Sequence, residues 1–289
     1  MRPYRDQCFR NTRQWPPFIS IISQDPCFTM TSSQEQPVQS SSSDDQDDLP
    51  LYITIHGIPI YFGEDWTTGI GGGLWSTGKA LAQYANTPHA QGQLRQLVQR
   101  RKRRNNHPLT ILELGSGNGL LAACWLALCQ SIDCPVHVYV TDTADHLPLI
   151  QQTMDANPHL WKNNNNTQVF VREHTWGDFA NIHDPESSSW PDSFDIILGS
   201  DVAYHERLYR PLLASLDRFM PPPDINYQNN NHPSTVLLLG CTMNDTTPEF
   251  FDLLQDTGFR YQLLQHDLLP AELQGNVFGV FLVQRRRRK

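Results

Sequence analysis

The apolar positions of the chain change their spacing several times, and each change marks an element. Residues 51–62, LYITIHGIPIYF, alternate apolar and polar and break at Gly57, which predicts a small hairpin. GGGLWSTGKALAQYA follows, a glycine-rich turn leading into a helix that carries Leu81 and Tyr84. From there compact apolar runs alternate with helical patterns. Strands are predicted at residues 109–114, 136–141, 168–172, 194–200 and 235–240. Helices are predicted at residues 120–129, 146–156, 206–219 and 248–257. Continuous apolar strands separated by helices imply an α/β fold whose parallel sheet is covered on both faces. The last two runs, RYQLLQHDL and NVFGVFLVQ, have no helix between them and are expected to close the sheet as an antiparallel hairpin. KNNNNT and PPPDINYQNNNHP interrupt the pattern and read as surface insertions.

Residues 1–50 carry no such pattern. SSQEQPVQSSSSDDQDD is polar, acidic and low in complexity, so it buries too little surface to offset its ordering entropy. Disorder is expected there, with one folded domain over residues 51–289. Arg2, Arg5, Arg10 and Arg13 suggest an organellar transit peptide, whereas Asp6 and the weak apolar FISII argue against one. Met30 is an alternative start.

The formal net charge of −8 argues against a broad nucleic-acid footprint. Basic residues nevertheless cluster twice, as RRKRR at 100–104 and RRRRK at 285–289. These runs read as nuclear-import or anionic-partner patches, or as plain solvated charge. The six cysteines follow neither a disulfide-like nor a zinc-like rhythm, so no metal site is expected and free thiols in a reducing compartment are. The sequons at Asn165 and Asn244 are then chance matches. No apolar stretch approaches the ~20 residues of a membrane span.

The most informative stretch is ILELGSGNGLL, with Gly115, Gly117 and Gly119 after a strand and Glu113 two positions upstream of the first. No GK[ST] follows, so it is not a P-loop. A dinucleotide fingerprint needs a small residue at position 120, where this chain has Leu120. Such a turn lets backbone approach a ligand at the carboxyl end of a sheet, or it is simply a tight structural turn. Asp142 ends the next strand, placed to accept hydrogen bonds from ribose hydroxyls or to cap the following helix. Together the glycines and Asp142 favour an adenosyl ligand.

GGGLWSTGKALAQY, ILELGSGNGLL, VTDTADHLPLIQQTMDAN, HTWGDF and DIILGSDVAYHERLYRPLLASL resemble, in order, the seven-strand lysine methyltransferases of the methyltransferase-16 (methyltransferase-like 21) family. The resemblance spans roughly residues 51–284. It implies a Rossmann-like seven-strand fold and S-adenosylmethionine as cofactor. It implies that Gly115, Ser116 and Gly117 cradle the cofactor's methionine part and that Asp142 binds the ribose. Trp176 stands where the family places a residue beside the adenine. Trp75 and Ser200 match pocket-lining positions. Two local departures stand out: the segment between Tyr84 and Leu109 is longer and more basic than usual, and SDVAY replaces a common Ala-Asp start. Without the resemblance, Trp75 and Trp176 read equally as core tryptophans.

Methyl transfer from a sulfonium is a direct displacement, so alignment and exclusion of water matter more than a covalent nucleophile. Asp201 and Tyr204 form a DxxY element just beyond a strand. A carboxylate favours the charged amine, so Asp201 is expected to dock and orient an acceptor lysine, with Tyr204 lining its channel. On residues alone, Asp201 caps the helix near Glu206 and Tyr204 is core. The resemblance thus implies a protein-lysine N-methyltransferase, a cytoplasmic monomer (the nucleus being an alternative) with a protein substrate and no nucleic-acid or membrane partner. Two other functions share the fold: methylation of a small molecule or nucleic acid, which the absence of an NPPY-type motif disfavours, and non-catalytic cofactor binding.

Overall fold

The structure, a computed structural model, describes residues 51–69, 72–102, 107–162, 166–180, 190–222, 235–264 and 278–286. Segment 1–50, Ile70 and Gly71, Asn165, the centres of both insertions, and residues 103–104 and 287–289 of the basic runs lie outside them.

The expected hairpin is β1 (Leu51–Ile55) against β2 (Ile58–Phe62). His56 and Gly57 join them with φ of 49° and 80°, the two positive values that a twisted two-residue hairpin loop demands. Next come α1 (Ser76–Ala85), which buries Leu81 and Tyr84, and α2 (Pro88–Lys102). The apolar pattern does not predict α2, because its buried stripe is only Ala90, Leu94 and Leu97 with Gln93 in a polar sequence. Its start is nonetheless written locally. The Thr87 hydroxyl accepts from the Ala90 N–H at 3.1 Å, with Pro88 at the first helical position.

The main sheet follows the predicted alternation. In chain order it comprises β3 (Leu109–Leu114), α3 (Leu120–Ser131), β4 (Val136–Asp142), α4 (Leu147–Ala156), β5 (Gln168–Glu173) and β6 (Ile196–Ser200). Then come α5 (Glu206–Phe219), β7 (Val236–Thr242), α6 (Pro248–Asp256), β8 (Phe259–Leu263) and β9 (Phe278–Arg285). The seven strands lie in the order β5-β4-β3-β6-β7-β9-β8. Pairing is parallel from β5 through to β7, and β9 inserts antiparallel between β7 and β8. The predicted closing hairpin is therefore present, with its second strand innermost.

Side chains on β3 alternate between two cores. Leu112 and Leu114 join Ile197, Leu237, Leu239 and Phe281 beneath α5 and α6, packed with Tyr209, Leu216 and Phe250. Glu113 faces the other side, where α3 lies. That helix is apolar all round, and every residue from Leu120 to Cys129 is buried, as a helix covered on all sides must be. The β1–β2 hairpin supplies part of its cover. No helix among the described residues is long and apolar enough to cross a membrane.

Arg101 gives one member of the first basic run a partner inside the fold. It pairs with Asp195, a residue only 2% exposed that also accepts from the Thr110 N–H and hydroxyl at 2.8 and 2.9 Å. This junction ties the end of α2 to the amino ends of β3 and β6. Arg101 is thus not merely solvated charge.

Candidate active site

The chain leaves β3, builds β4 and β5 on one side, and returns to β6 on the other. The carboxyl ends of β3 and β6 therefore flank a topological switch point, where open α/β sheets take their ligands. The glycine turn sits there.

Gly115, Gly117 and Gly119 have φ of 63°, 60° and 79°, left-handed values that side chains resist. The Ser116 N–H donates to the Thr141 carbonyl at 3.0 Å, and the Gly117 N–H to Asp142 Oδ2 at 2.8 Å. Two of the glycines are bare for reasons within the chain. A Cβ on Gly115 would stand 2.8 Å from Trp176 and 2.9 Å from Val202. One on Gly119 would stand 3.3 Å from Met154 on α4. The spacing points to close backbone approach, and here the approaching groups include this chain's own Trp176.

Glu113 braces the turn from below. Its carboxyl accepts from the Ala122 N–H at 2.9 Å, meeting an orphan donor in the first turn of α3. Burial pushes its pKa up to about 8, against the pull of hydrogen bonds from Ser116 and Ala122.

Asp142 does not cap the next helix with its side chain. Thr143 is the N-cap of the 3-10 turn Ala144–His146. The Asp142 carboxylate instead holds the strand end to the glycine turn. Besides Gly117, it accepts from the Thr143 N–H at 2.7 Å and the Thr143 hydroxyl at 3.3 Å, and His146 Nδ1 lies 3.3 Å away.

Trp176 is half-buried against the main core and is set by a neutral histidine. The His174 N–H donates to the Asp142 carbonyl at 2.9 Å. His174 Nε2 lies 3.0 Å from Ser215 Oγ, which accepts from the Gly177 N–H at 3.1 Å. Burial pushes His174 down to about 4, with Asp178 acting weakly the other way, so the Ser215 hydroxyl is free to donate to Nε2. Trp176 thus sits between two residues held by α5.

Asp201 has φ of 52°, a left-handed conformation uncommon for a residue with a side chain. Its N–H donates to the Gly240 carbonyl at 2.9 Å. Oδ1 accepts from the Thr242 N–H and hydroxyl at 2.9 and 2.7 Å. Oδ2 is buried and has no hydrogen-bond partner among the described residues. The helix-cap alternative does not hold, because α5 is capped by His205, whose Nδ1 accepts from the Arg207 N–H. Tyr204 is not core either, at 40% exposed.

Trp75 is likewise outside the core, at 41% exposed, with its ring edge-on to Trp66 at 6.1 Å. It caps the start of α1, whose first turn covers the strand ends. A Cβ on Gly78 would lie 3.4 Å from Ser200 Oγ, and Thr77 packs against Gly240.

The structure therefore brings Gly115, Trp176 and Val202 into contact, ties Gly117 to Asp142, and sets Ser200 and Asp201 at the end of β6. Tyr204 and Trp75 are exposed. Three supporting residues escape a reading of the sequence. Thr242 and Ser215 carry no local signal, whereas His174 stands within the HTWG stretch, where its neighbour Trp176 carries the signal.

A family model described as lysine methyltransferase matches residues 56–255. The protein-lysine N-methyltransferase EFM6 of Saccharomyces cerevisiae is 28% identical over 164 residues, which is 55% of this chain and 63% of that protein. The protein N-lysine methyltransferase METTL21A of Mus musculus is 29% identical over 158 residues, 54% of this chain and 60% of that protein. The chain thus spans less than two thirds of the length of either relative. Among solved structures, the DszA carbon methyltransferase superposes with a TM-score of 0.47 at 17% identity, over 69% of this chain and 54% of that one.

Proposed function

The chain belongs to the lysine methyltransferase family, and on that premise we propose that it transfers a methyl group from S-adenosylmethionine to a lysine side chain of a protein substrate. The observation that carries the reading is Asp201. Two hydrogen bonds from Thr242 fix its carboxylate, while its left-handed backbone and its buried, unpartnered Oδ2 are costly unless a ligand donor completes the site. A lysine ammonium is such a donor.

The residues at the switch point suit the cofactor. The glycine turn offers backbone at Gly115, Ser116 and Gly117, and Trp176 offers a half-exposed aromatic face beside it for adenine. Asp142 keeps its two short amide bonds while a ribose hydroxyl competes with the Thr143 hydroxyl and His146 Nδ1, each 3.3 Å from Oδ1. Ser200 and Trp75 line the approach along α1. When bound, S-adenosylmethionine supplies a methyl group on a sulfonium that is open to direct displacement.

The chain's own residues handle the amine. With a free pKa of ~10.4, a lysine costs about 4 to 5 kcal/mol to hold neutral at pH 7. Asp201 draws the charged amine in and fixes its direction. Tyr204 walls the channel and offers a hydroxyl. Enclosure beside a positive sulfonium then lowers the amine's proton affinity. Alignment supplies much of the remaining rate.

Cys124, Cys129, Cys134 and Cys241 are free thiols, which suits the reducing, cytoplasmic setting proposed here. The test is calorimetry with S-adenosylmethionine, followed by labelled transfer into a lysate. Cofactor binding with label in protein supports the reading. Label in RNA or small molecules, or binding without turnover, would replace it with one of the two alternative functions.

A further inference from the structure

Three of the five large exposed hydrophobics among the described residues stand at the candidate site: Trp66 at 59%, Trp75 at 41% and Tyr204 at 40% exposed. The other two, Leu51 and Tyr52, belong to the β1–β2 hairpin. Single exposed apolar side chains are ordinary, but several rings gathered at one mouth mark a contact surface.

Trp66 is held out by a well-tied loop. Its ring lies on Gly73, where a Cβ would overlap it, and meets Trp75 edge-on at 6.1 Å. The Asp65 N–H donates to the Gly72 carbonyl at 2.8 Å, and the Leu74 N–H to Glu64 Oε1 at 2.6 Å. Asp65 also caps the 3-10 turn Trp66–Thr68, accepting from the Thr67 hydroxyl and N–H at 2.5 and 2.9 Å. These bonds hold its carboxyl below the usual carboxylate range, so it is charged at neutral pH. Both tryptophans are thus fixed beside two carboxylates where α1 begins. The first turn of α1 packs on Ser200 and Gly240, which sets this corner at the strand ends that carry Asp201.

Tyr204 follows Asp201 by three residues, and the loop after β7 closes on its neighbours. The Thr246 hydroxyl donates to the Ala203 carbonyl and the Thr247 N–H to the Tyr209 hydroxyl, both at 2.9 Å. Exposed Asp245 lies in that loop, and exposed Glu206 and Glu249 stand in the first turns of α5 and α6. The cations beside these carboxylates are Lys79 in the first turn of α1 and Arg207 and Arg210 on α5. Carboxylates therefore outnumber cations here even before Asp201, with its buried and unpartnered Oδ2, is added.

Resting on the lysine-transfer reading above, we propose that this rim docks a cationic stretch of the substrate protein, with an arginine or a second lysine close to the acceptor lysine in sequence. A guanidinium stacks on an exposed tryptophan and pairs with a carboxylate at the same time. An apolar stretch would cover the rings but strip water from the carboxylates. In an extended stretch, side chains about two positions apart point the same way. With the acceptor lysine directed at Asp201, those neighbours are the ones presented to the rim.

The experiment uses the full chain saturated with S-adenosylhomocysteine and short fluorescein-labelled peptides in anisotropy. Each peptide has one central lysine flanked by arginine, glutamine, leucine or glutamate. The arginine-flanked peptide should bind at least about tenfold more tightly than the glutamine-flanked one, and added salt should shrink that margin. The glutamate-flanked peptide should bind most weakly. Trp66→Leu combined with Glu64→Gln, which keeps an acceptor for Leu74, should cut the margin at least about threefold while the glutamine-flanked peptide binds as to wild type. Asp245→Asn with Glu249→Gln does the same from the β7 side and serves if the first variant does not fold. Equal affinity for arginine and glutamine flanks, no binding of the arginine-flanked peptide, or an unchanged margin in both variants would overturn the proposal. Tightest binding by the leucine-flanked peptide would overturn it too, in favour of an apolar stretch. Lysine label in a lysate protein without any margin among the peptides would sink this proposal alone. A clear margin with no lysine labelled would overturn the transferase reading and keep the rim as a site for cationic segments.

Discussion

Replacing Asp201 separates its hold on Thr242 from the docking role proposed for it, provided that the substitution is chosen from the geometry. Asp201→Ala removes the acceptor for both Thr242 donors, at 2.9 and 2.7 Å, and leaves an alanine at φ 52°. The lost bonds cost about 1.5 to 3 kcal/mol and the left-handed alanine about 1 to 2. At ~2 to 4 °C per kcal/mol, the melting temperature should fall by roughly 5 to 20 °C. Any loss of activity would then be ambiguous. Asp201→Asn avoids this, because asparagine tolerates the left-handed region and keeps a carbonyl for Thr242. Its amide nitrogen replaces Oδ2 and presents donors to a donor. Single-turnover transfer should fall at least about a hundredfold, some 2.7 kcal/mol. Cofactor affinity should change by less than about threefold, and the melting temperature should hold. Tyr204→Phe should be milder, since the ring still walls the channel. Near-normal transfer by Asp201→Asn would refute the docking role.

Asp142→Ala should weaken S-adenosylmethionine binding by roughly ten- to a hundredfold in calorimetry, the loss of a charge-assisted bond of ~1.5 to 3 kcal/mol; wild-type affinity in both Asp142→Ala and Trp176→Ala would place the cofactor elsewhere. His174 makes stability depend on pH. Its folded pKa of about 4 lies below an unfolded value near 6.5, so the unfolded chain takes up the proton first. The stability it contributes is present above pH ~6.5 and declines toward pH 4 by as much as about 3 kcal/mol. Wild type should therefore lose more stability than His174→Asn over that window in chemical denaturation, and parallel curves would contradict the assignment. Deleting residues 1–45 should leave melting temperature and cofactor affinity unchanged, whereas a fall of several degrees would show that the segment packs on the domain.

Much of the sheet was legible because parallel strands covered on both faces read as largely apolar runs, and β3, β4, β6 and β7 do, with Glu113 the buried exception on β3. The hairpin β1–β2 was legible because Gly57 interrupts a two-residue period. By contrast, α2 hid behind glutamines and arginines that shield a three-residue stripe, and only Thr87-Pro88 marked its start. Candidate site positions were visible where a turn demands an unusual backbone, as at Gly115 to Gly119. Their supports were not. Thr242 holds Asp201 from the next strand, 41 residues on, and Ser215 holds His174 from a helix. Such partners follow from strand order, which no local pattern records. Gly115 carries a subtler lesson: its missing side chain makes room for Trp176 as well as for a ligand.

The central claim is that the acceptor atom is a lysine nitrogen on a protein. The most direct measurement incubates the purified chain with isotopically labelled S-adenosylmethionine and a lysate from cells lacking it, then sequences the labelled polypeptide by tandem mass spectrometry. The account predicts the label on a lysine Nε of a discrete protein, present with wild type and reduced at least about a hundredfold with Asp201→Asn. Label on another residue type, or lysine label that Asp201→Asn leaves unchanged, would contradict it.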